Sequence, residues 1–334
     1  MHQGHGDDIY NYPHIRLNFS SNVYNHFCHD GLFAHLSRHL SCVANYPEPS
    51  ALTVERRLAD AVGVRPDCVM ATSGATEAIY LIAQLFRAST SCIVAPTFAE
   101  YADACRMHGH RVRLVTAPDQ LPADARLCWL CNPNNPTGAV VPKEHLLSII
   151  TSRPDTLFVL DASYAPFSSQ PLIAPAEGVR CRNLLMLRSI TKRFSVPGLR
   201  VGYVVGEPTL LHRLRQLQMP WSVNSLAQEA TSYLLGHEAD YQIPVDVLVA
   251  ERERVAAWLE RTGRVEVSPS DTHILLCRRL QGTAAQLKNE LATQHGILIR
   301  DASNFELLTP AHFRIAVQTR EENDELLKAL NSTL

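Results

Sequence analysis

RSITKRFSVPGLRVGY, residues 188–203, is the stretch on which the reading of the chain turns. An apolar run, NLLMLRS, leads into it and a second, VGYVVG, ends it. Between the two lie Thr191, Lys192, a Pro-Gly turn and Arg200. A lysine in isolation reads as a solvated surface residue. This one sits after a strand pattern and before a turn built from one residue with a fixed φ and one with a free φ. It therefore belongs at a strand end, where open α/β sheets hold their ligands. An amine held there can serve as a nucleophile and later as a general acid or base.

Working outward, the same alternation of strand and helix patterns recurs. VMATSG passes into GATEAIYLIAQLFR, where Ala78, Ile79, Ile82, Ala83 and Phe86 recur at helical spacing. SCIVAP, RVRLVTAP, ARLCWLCNP and TLFVLDASY read as further buried strands, and FAEYADACRMHG as a helix ending at Gly109. Continuous Val/Leu/Ile runs separated by helices predict an α/β fold with a mostly parallel sheet covered on both faces. From about Pro208 helical segments take over, through ERERVAAWLERTG. The shorter strands RVEVSPS, THILLCRR, ILIRD and FRIAV follow, and then a closing helix with Thr319 as its N-cap. The expected organisation is an N-terminal arm, 1–44, packing on the smaller domain; a large domain, 45–207; and a smaller α+β domain, 208–334.

Bulk composition agrees with an ordinary globular protein. The chain has 334 residues, 46% of them hydrophobic, and a formal net charge of −2. No lysine- or arginine-rich run is present, so a nucleic-acid partner is not expected. The N-terminal MHQGHGDDIYNYPH lacks the basic-then-apolar layout of a signal peptide, and no stretch reaches the roughly 18 apolar residues of a membrane span. A soluble, cytoplasmic protein is expected, with no membrane partner. Nine cysteines, an odd number scattered through apolar segments, suit reduced buried thiols. The one C-x-x-C, Cys128 to Cys131, falls in a strand pattern, where an odd offset points the thiols to opposite faces. No metal centre is expected.

Four more segments accompany Lys192. SGATEA, Ser73–Ala78, joins a strand to a helix. Gly74 lets the chain turn, and Ala75 and Thr76 offer backbone N–H groups of the kind that bind phosphate; helix starts of this composition are also common without a ligand. PTFAEY puts Phe98 after a strand, either to stack on a flat ligand or as a plain core aromatic. NPNNPTG, Asn132–Gly138, makes a rigid polar turn at a strand end and offers Asn135. VLDASY ends an apolar strand in Asp161, where an unpaired charge is costly, with Tyr164 one turn on; an ordinary turn cap is the competing reading. Together these supply what a pyridoxal-5′-phosphate site demands: an amine for the aldehyde, a carboxylate facing the pyridine nitrogen, a phosphate cradle completed by Thr191 and Arg200, and a flat cover for the ring.

NPNNPTG, D-x-x-Y, S-x-T-K and PGLR-x-GY, in that order, resemble the fold type I pyridoxal-phosphate enzymes of the histidinol-phosphate aminotransferase group. HGDD near the start, LNFSSN, QMPWSVNSLAQ, ILIRDASNF and HFRIAV are similar to the branch of that group that decarboxylates L-threonine O-3-phosphate in cobalamin biosynthesis. The resemblance covers nearly the whole chain. It implies that Lys192 takes the cofactor as a Schiff base, that Asp161 faces the pyridine nitrogen, and that Asn135 and Tyr164 face its phenolic oxygen. It also implies that Gly74, Ala75, Thr76, Thr191 and Arg200 form the phosphate cradle, with Phe98 over the ring. Tyr46, in NYPEP, is implied to reach that phosphate from a neighbouring subunit, which makes the protein a homodimer. His5, Asn22, Asn135, Arg300 and Arg314 match positions that bind a small phosphorylated amino acid. From the residues alone, Arg300 and Arg314 read equally as surface ion pairs.

The sequence departs from the group's pattern at two points. Ser163 stands where Glu is common in D-E-A-Y/F, and the arm reads HGDD where HGG is usual, so an acid next to a phosphate site has to point away. The function expected is decarboxylation of L-threonine O-3-phosphate to (R)-1-amino-2-propanol O-2-phosphate and CO2. The first alternative is an aminotransferase acting on histidinol phosphate with the same residues. A remote alternative is a non-catalytic pyridoxal-phosphate-binding protein, which usually lacks the lysine or carries a DNA-binding extension.

Overall fold

The computed structural model describes residues 6–334. Thirteen strands alternate with helices. The apolar runs around Lys192 form the centre of a seven-stranded sheet. Its strands are β2 (Val69–Thr72), β3 (Thr90–Val94), β4 (Arg111–Val115), β5 (Leu127–Cys131), β6 (Leu157–Asp161), β7 (Leu184–Ser189) and β8 (Gly202–Gly206). In space they run β2-β8-β7-β6-β5-β3-β4. All neighbours are parallel except β8, which is antiparallel to both β2 and β7. The five-residue stretch Ile190–Phe194 and the Pro-Gly turn reverse the chain between β7 and β8, which is why the sheet is mostly rather than wholly parallel.

Both faces are covered. Along β5 the side chains alternate strictly: Cys128 and Leu130 enter one core, and Leu127, Trp129 and Cys131 enter the other. The C-x-x-C thiols thus point to opposite faces, as a period of two requires, and all nine cysteines are free thiols. One core takes helices 52–62, 143–152 and 225–236; the other takes 74–85, 100–107 and 208–215. At the edge near β2, Glu55 is buried and accepts from both terminal nitrogens of Arg215 at 2.8 Å and from the Ala71 N–H at 2.8 Å. That fork ties helix 52–62 and helix 208–215 to the sheet.

A second layer is built on an antiparallel sheet of β9 (Val265–Val267), β10 (Ile274–Arg279), β12 (Arg300–Asp301) and β13 (His312–Ala316), in the order β12-β13-β10-β9. The short β1 (Leu17–Asn18) pairs in parallel with β11 (Ile297–Leu298) beside it. Helices 245–261, 284–290 and 320–333 close this core around Leu275, Phe313 and Ile315. Thr319 caps the last helix, its Oγ1 accepting the Glu322 N–H while Glu322 reaches back.

Packing divides the chain differently from the strand pattern. Leu210, Leu211 and Leu214, and then Ala227, Ala230, Leu234 and Tyr241, bury against the large sheet. The helices that follow the expected limit at 207/208 thus pack, up to Tyr241, on the large sheet. The arm divides as well. Phe19 enters the small core, while Leu32, on helix 30–38, enters the large one. Among the described residues no helix is long and apolar enough to cross a membrane.

Candidate active site

The carboxyl ends of β5, β6 and β7 meet the edge of the small sheet over a cleft of about 440 Å³ that continues into an inner compartment of about 190 Å³. Asn22, Thr76, Phe98, Asn135, Lys192 and Arg200 line both spaces.

Lys192 sits in the short helix that Ser189 caps, its own backbone N–H donating to Ser189 Oγ at 3.3 Å. Its Nζ donates to the Asn22 side-chain oxygen, and the Asn22 amide donates to the Tyr164 hydroxyl. Burial above all, and the guanidinium of Arg314 after it, together push the amine down to about 7. A substantial fraction is therefore uncharged at neutral pH. Burial also pushes the Tyr164 hydroxyl well up, so it stays protonated as a donor.

Asp161 ends β6 with one oxygen accepting the Tyr101 hydroxyl at 2.7 Å and the other accepting the Ser163 backbone N–H at 2.9 Å. The carboxylate thus caps its own turn and also lines the inner compartment. Ser163 acts there through its backbone. Phe98 lines the same compartment, its ring edge-on to Tyr101 at 5.8 Å.

At the other end, helix 74–85 begins without a side-chain cap, and its first N–H groups have no partner within the helix. Glu77 reaches back to the Ser73 N–H at 2.6 Å and leaves those of Gly74, Ala75 and Thr76 facing the space. Gly74 has φ +73°, and a Cβ on it would lie 2.9 Å from an Arg200 guanidinium nitrogen. A Cβ on Gly202 would meet the Ala75 nitrogen at 2.6 Å, so helix start and β8 can approach only through glycine. The hydroxyl of Thr191 is buried without a hydrogen-bond partner. A buried hydroxyl left unpaired, beside free N–H groups and a guanidinium, fits a phosphate group.

Arg300 and Arg314 are register partners on the antiparallel pair β12 and β13. Both are buried, at 6% and 3% exposure, which excludes the surface ion-pair reading. Arg314 donates to the Asn135 side-chain oxygen and to the Ser20 carbonyl, each at 2.5 Å. Arg300 donates to Asn304 at 2.7 Å. Burial lowers both, Arg314 to about 10. Like charges facing each other across two strands repel, and here they share the wall of an open chamber.

The HGDD segment does two things. Asp8 turns inward and pairs with Lys288 at 2.6 and 2.8 Å. Asp7 stays on the chamber wall with its carboxylate accepting from the Asn18 amide, so it does not point away from the arginines. His5 lies outside the described residues. Tyr46 is 82% exposed and packs on Trp221, lining neither space of its own chain.

Two neighbours of the site were not legible. Tyr101 lies in PTFAEY, where its hydroxyl is one polar atom on an otherwise apolar helix face, and only the packing of that helix on the sheet brings it to Asp161. His273 stacks on Phe167 with ring centroids 4.0 Å apart, and burial pushes its imidazole down to about 3, so it is neutral. Within THILLCRR it carries no distinguishing sequence signal.

A lysine held close to neutrality, a buried carboxylate, an aromatic wall and a phosphate cradle at the strand ends of an α/β sheet define a pyridoxal-phosphate enzyme. Residues 15–330 match the aminotransferase class I and II family. Over 95% of its length the chain is 39% identical to L-threonine-O-3-phosphate decarboxylase from Porphyromonas gingivalis, covering 98% of that structure with a TM-score of 0.92. It is 31% identical to threonine-phosphate decarboxylase of Salmonella typhimurium, over 96% of this chain and 92% of that one. Histidinol-phosphate aminotransferase of Desulfitobacterium hafniense is 30% identical over 86% and 84%. The chain belongs to the class I and II aminotransferase family, and its cofactor is pyridoxal phosphate.

Proposed function

We propose that this protein decarboxylates L-threonine O-3-phosphate, giving (R)-1-amino-2-propanol O-2-phosphate and CO2. The observation that carries the reading is the pair Arg300 and Arg314, buried and register-paired on the wall of the chamber that also holds Lys192. Two guanidiniums turned to one space favour a ligand with two anionic groups, and a phosphorylated amino acid brings a phosphate and a carboxylate. The likeness to two threonine-phosphate decarboxylases supports the same substrate.

When bound, the cofactor supplies an aldehyde for the substrate's amino group and a protonated pyridine ring that accepts the electron pair released at Cα. Gly74, Ala75 and Thr76 give N–H groups to its phosphate, with Thr191 Oγ1 and Arg200. Asp161, held by Tyr101 and Ser163, keeps the ring nitrogen protonated. Tyr164 and Asn135 donate to the phenolic oxygen; the Asn135 amide oxygen is taken by Arg314, which leaves its NH2 to donate. Phe98 covers the ring. Lys192 anchors the aldehyde before substrate arrives. Its freed amine would then carry a proton and deliver it to Cα in the place the carboxylate leaves as CO2, a task suited to a group near neutrality. Asn22 receives the freed amine, and with Arg300, Arg314 and His5 it binds substrate. Tyr46 completes the phosphate site of a neighbouring copy, in a homodimer; its exposure and its absence from the site of its own chain support this.

The test is incubation of cofactor-loaded protein with L-threonine O-3-phosphate and no keto acid, recording CO2. Stoichiometric CO2 and amine are expected. No CO2, with amino transfer from histidinol phosphate once 2-oxoglutarate is added, overturns the proposal in favour of the aminotransferase that the Desulfitobacterium relative represents.

A further inference from the structure

Away from the cleft, three side chains that the proposed chemistry does not use converge between two helices. His35 and His39 lie four residues apart at the end of helix 30–38, so they share one face. Glu229 comes from helix 225–236. His35 Nε2 lies 2.7 Å from Glu229 Oε1, and His39 Nε2 lies 3.9 Å from the same oxygen. All three ligand atoms fall within 4.8 Å of one another.

We propose that His35, His39 and Glu229 form a binding site for one divalent transition-metal ion, with zinc as its representative. Three observations point the same way. The two distances bracket the ~3.3 Å edge of a tetrahedron whose metal–ligand bonds are ~2.0 Å, so the atoms need only small shifts to reach bonding positions. The tautomer of His39 is already set. Its Nδ1 lies 2.8 Å from the His35 backbone carbonyl, which can only accept, so Nδ1 carries the proton and Nε2 the free lone pair. The ring of His35 is braced as well, with Tyr233 packed on it at 4.8 Å and His39 stacked at 4.1 Å. Two imidazoles and one carboxylate on a half-exposed rim suit a borderline ion with water as its fourth ligand.

On binding, the ion takes the place of the proton that His35 and Glu229 share, and that proton leaves to solvent. The site then clips helix 30–38, which precedes the Tyr46 segment, to helix 225–236. Nothing in this assignment depends on the reaction the cleft performs.

The test uses cofactor-loaded protein, stripped of metal with a chelator and dialysed, titrated with zinc chloride at pH 7.5 by calorimetry and checked by metal analysis. The expected result is one zinc per chain with micromolar affinity and a rise in melting temperature on adding zinc. His39→Ala and Glu229→Gln, both changes at partly exposed positions, should each weaken that affinity by about 100-fold and abolish the rise, with the cofactor absorbance untouched. Absence of zinc binding by the unaltered protein overturns the proposal. Equal binding by all three proteins also overturns it, since the zinc would then sit on thiols or histidines elsewhere.

Discussion

Lys192 and Lys288 are both withdrawn from solvent, yet they are solvated by the protein in opposite ways. The Lys288 ammonium meets both oxygens of Asp8, at 2.6 and 2.8 Å, with the Tyr12 ring 5.7 Å away. Lys192 meets the neutral amide of Asn22 and the face of Tyr164; Arg314 and Arg200 push its amine down, and the more distant Asp7 and Asp161 offset them only in part. The first environment stabilises the charge and spends the side chain on fastening the arm. The second removes the charge and leaves a nucleophile. What separates a structural lysine from a reactive one here is the charge of its nearest partner, since both are largely withdrawn from bulk water.

Erasing the reactive member should have the largest effect. Lys192→Ala removes both the covalent anchor and the proton carrier. Turnover is expected to fall by about 10⁴-fold or more, with loss of the cofactor's lysine-linked absorbance band and no change in the far-ultraviolet circular dichroism. Retention of a tenth of the activity would refute the role of Lys192.

Removing a positive neighbour tests the electrostatic half of the contrast. Arg314 pushes the Lys192 amine down, so Arg314→Met should let it rise. Deprotonation then needs more alkaline solution. The pH midpoint for uptake of pyridoxal phosphate by apoprotein, expected near 7 in the unaltered chain, should move upward. Because Arg314 is also placed to bind an anionic group of the substrate, kcat/KM should drop by about 10² to 10³-fold. A loss of kcat/KM with an unmoved midpoint would assign Arg314 to substrate alone.

Sequence and structure part company at particular residues. The strands around Lys192 were legible because each is a short apolar run rich in Val, Leu and Ile, most of them closed by Gly, Pro, Asn or Asp, and because a parallel sheet buried on both faces demands such runs. The reversal of β8 was not, since an apolar run has no direction. The domain limit drawn after residue 207 followed strand pattern, while Leu211 and Leu214 follow burial, which only the third dimension reveals. Within the site, Asp161 and Lys192 announce themselves as charges at the ends of apolar strands. Arg300 and Arg314 gain meaning only when β12 and β13 pair and bring them opposite each other. Tyr101 and His273 are polar groups inside otherwise apolar patterns, so their place beside Asp161 and Phe167 emerges only from packing.

The structural lysine can be broken too, with a smaller and different outcome. Lys288→Met leaves the Asp8 carboxylate buried without its cation, and should cost about 2 to 3 kcal/mol in urea unfolding, at the low end for a buried pair because the arm can peel away and rehydrate the acid. The double change with Asp8→Asn should recover most of that loss, which separates an unpaired charge from lost packing. The ion pair also sets a pH signature. Despite the opposing pull of burial, hydrogen bonds from Lys288 and Asn11 hold the Asp8 carboxyl below its ordinary value of 3.8. A depressed carboxyl adds stability that is present above the unfolded value and is lost as pH falls through the folded one. The difference in urea midpoint between the unaltered protein and Asp8→Asn should therefore be constant at neutral pH and shrink only below about 4. Because Gly6 and Asp7 lie against Arg300 and Ser20, loosening the arm should raise KM while leaving kcat nearly unchanged. A fall in kcat with KM fixed would instead mean that the arm takes part in the bond-breaking step.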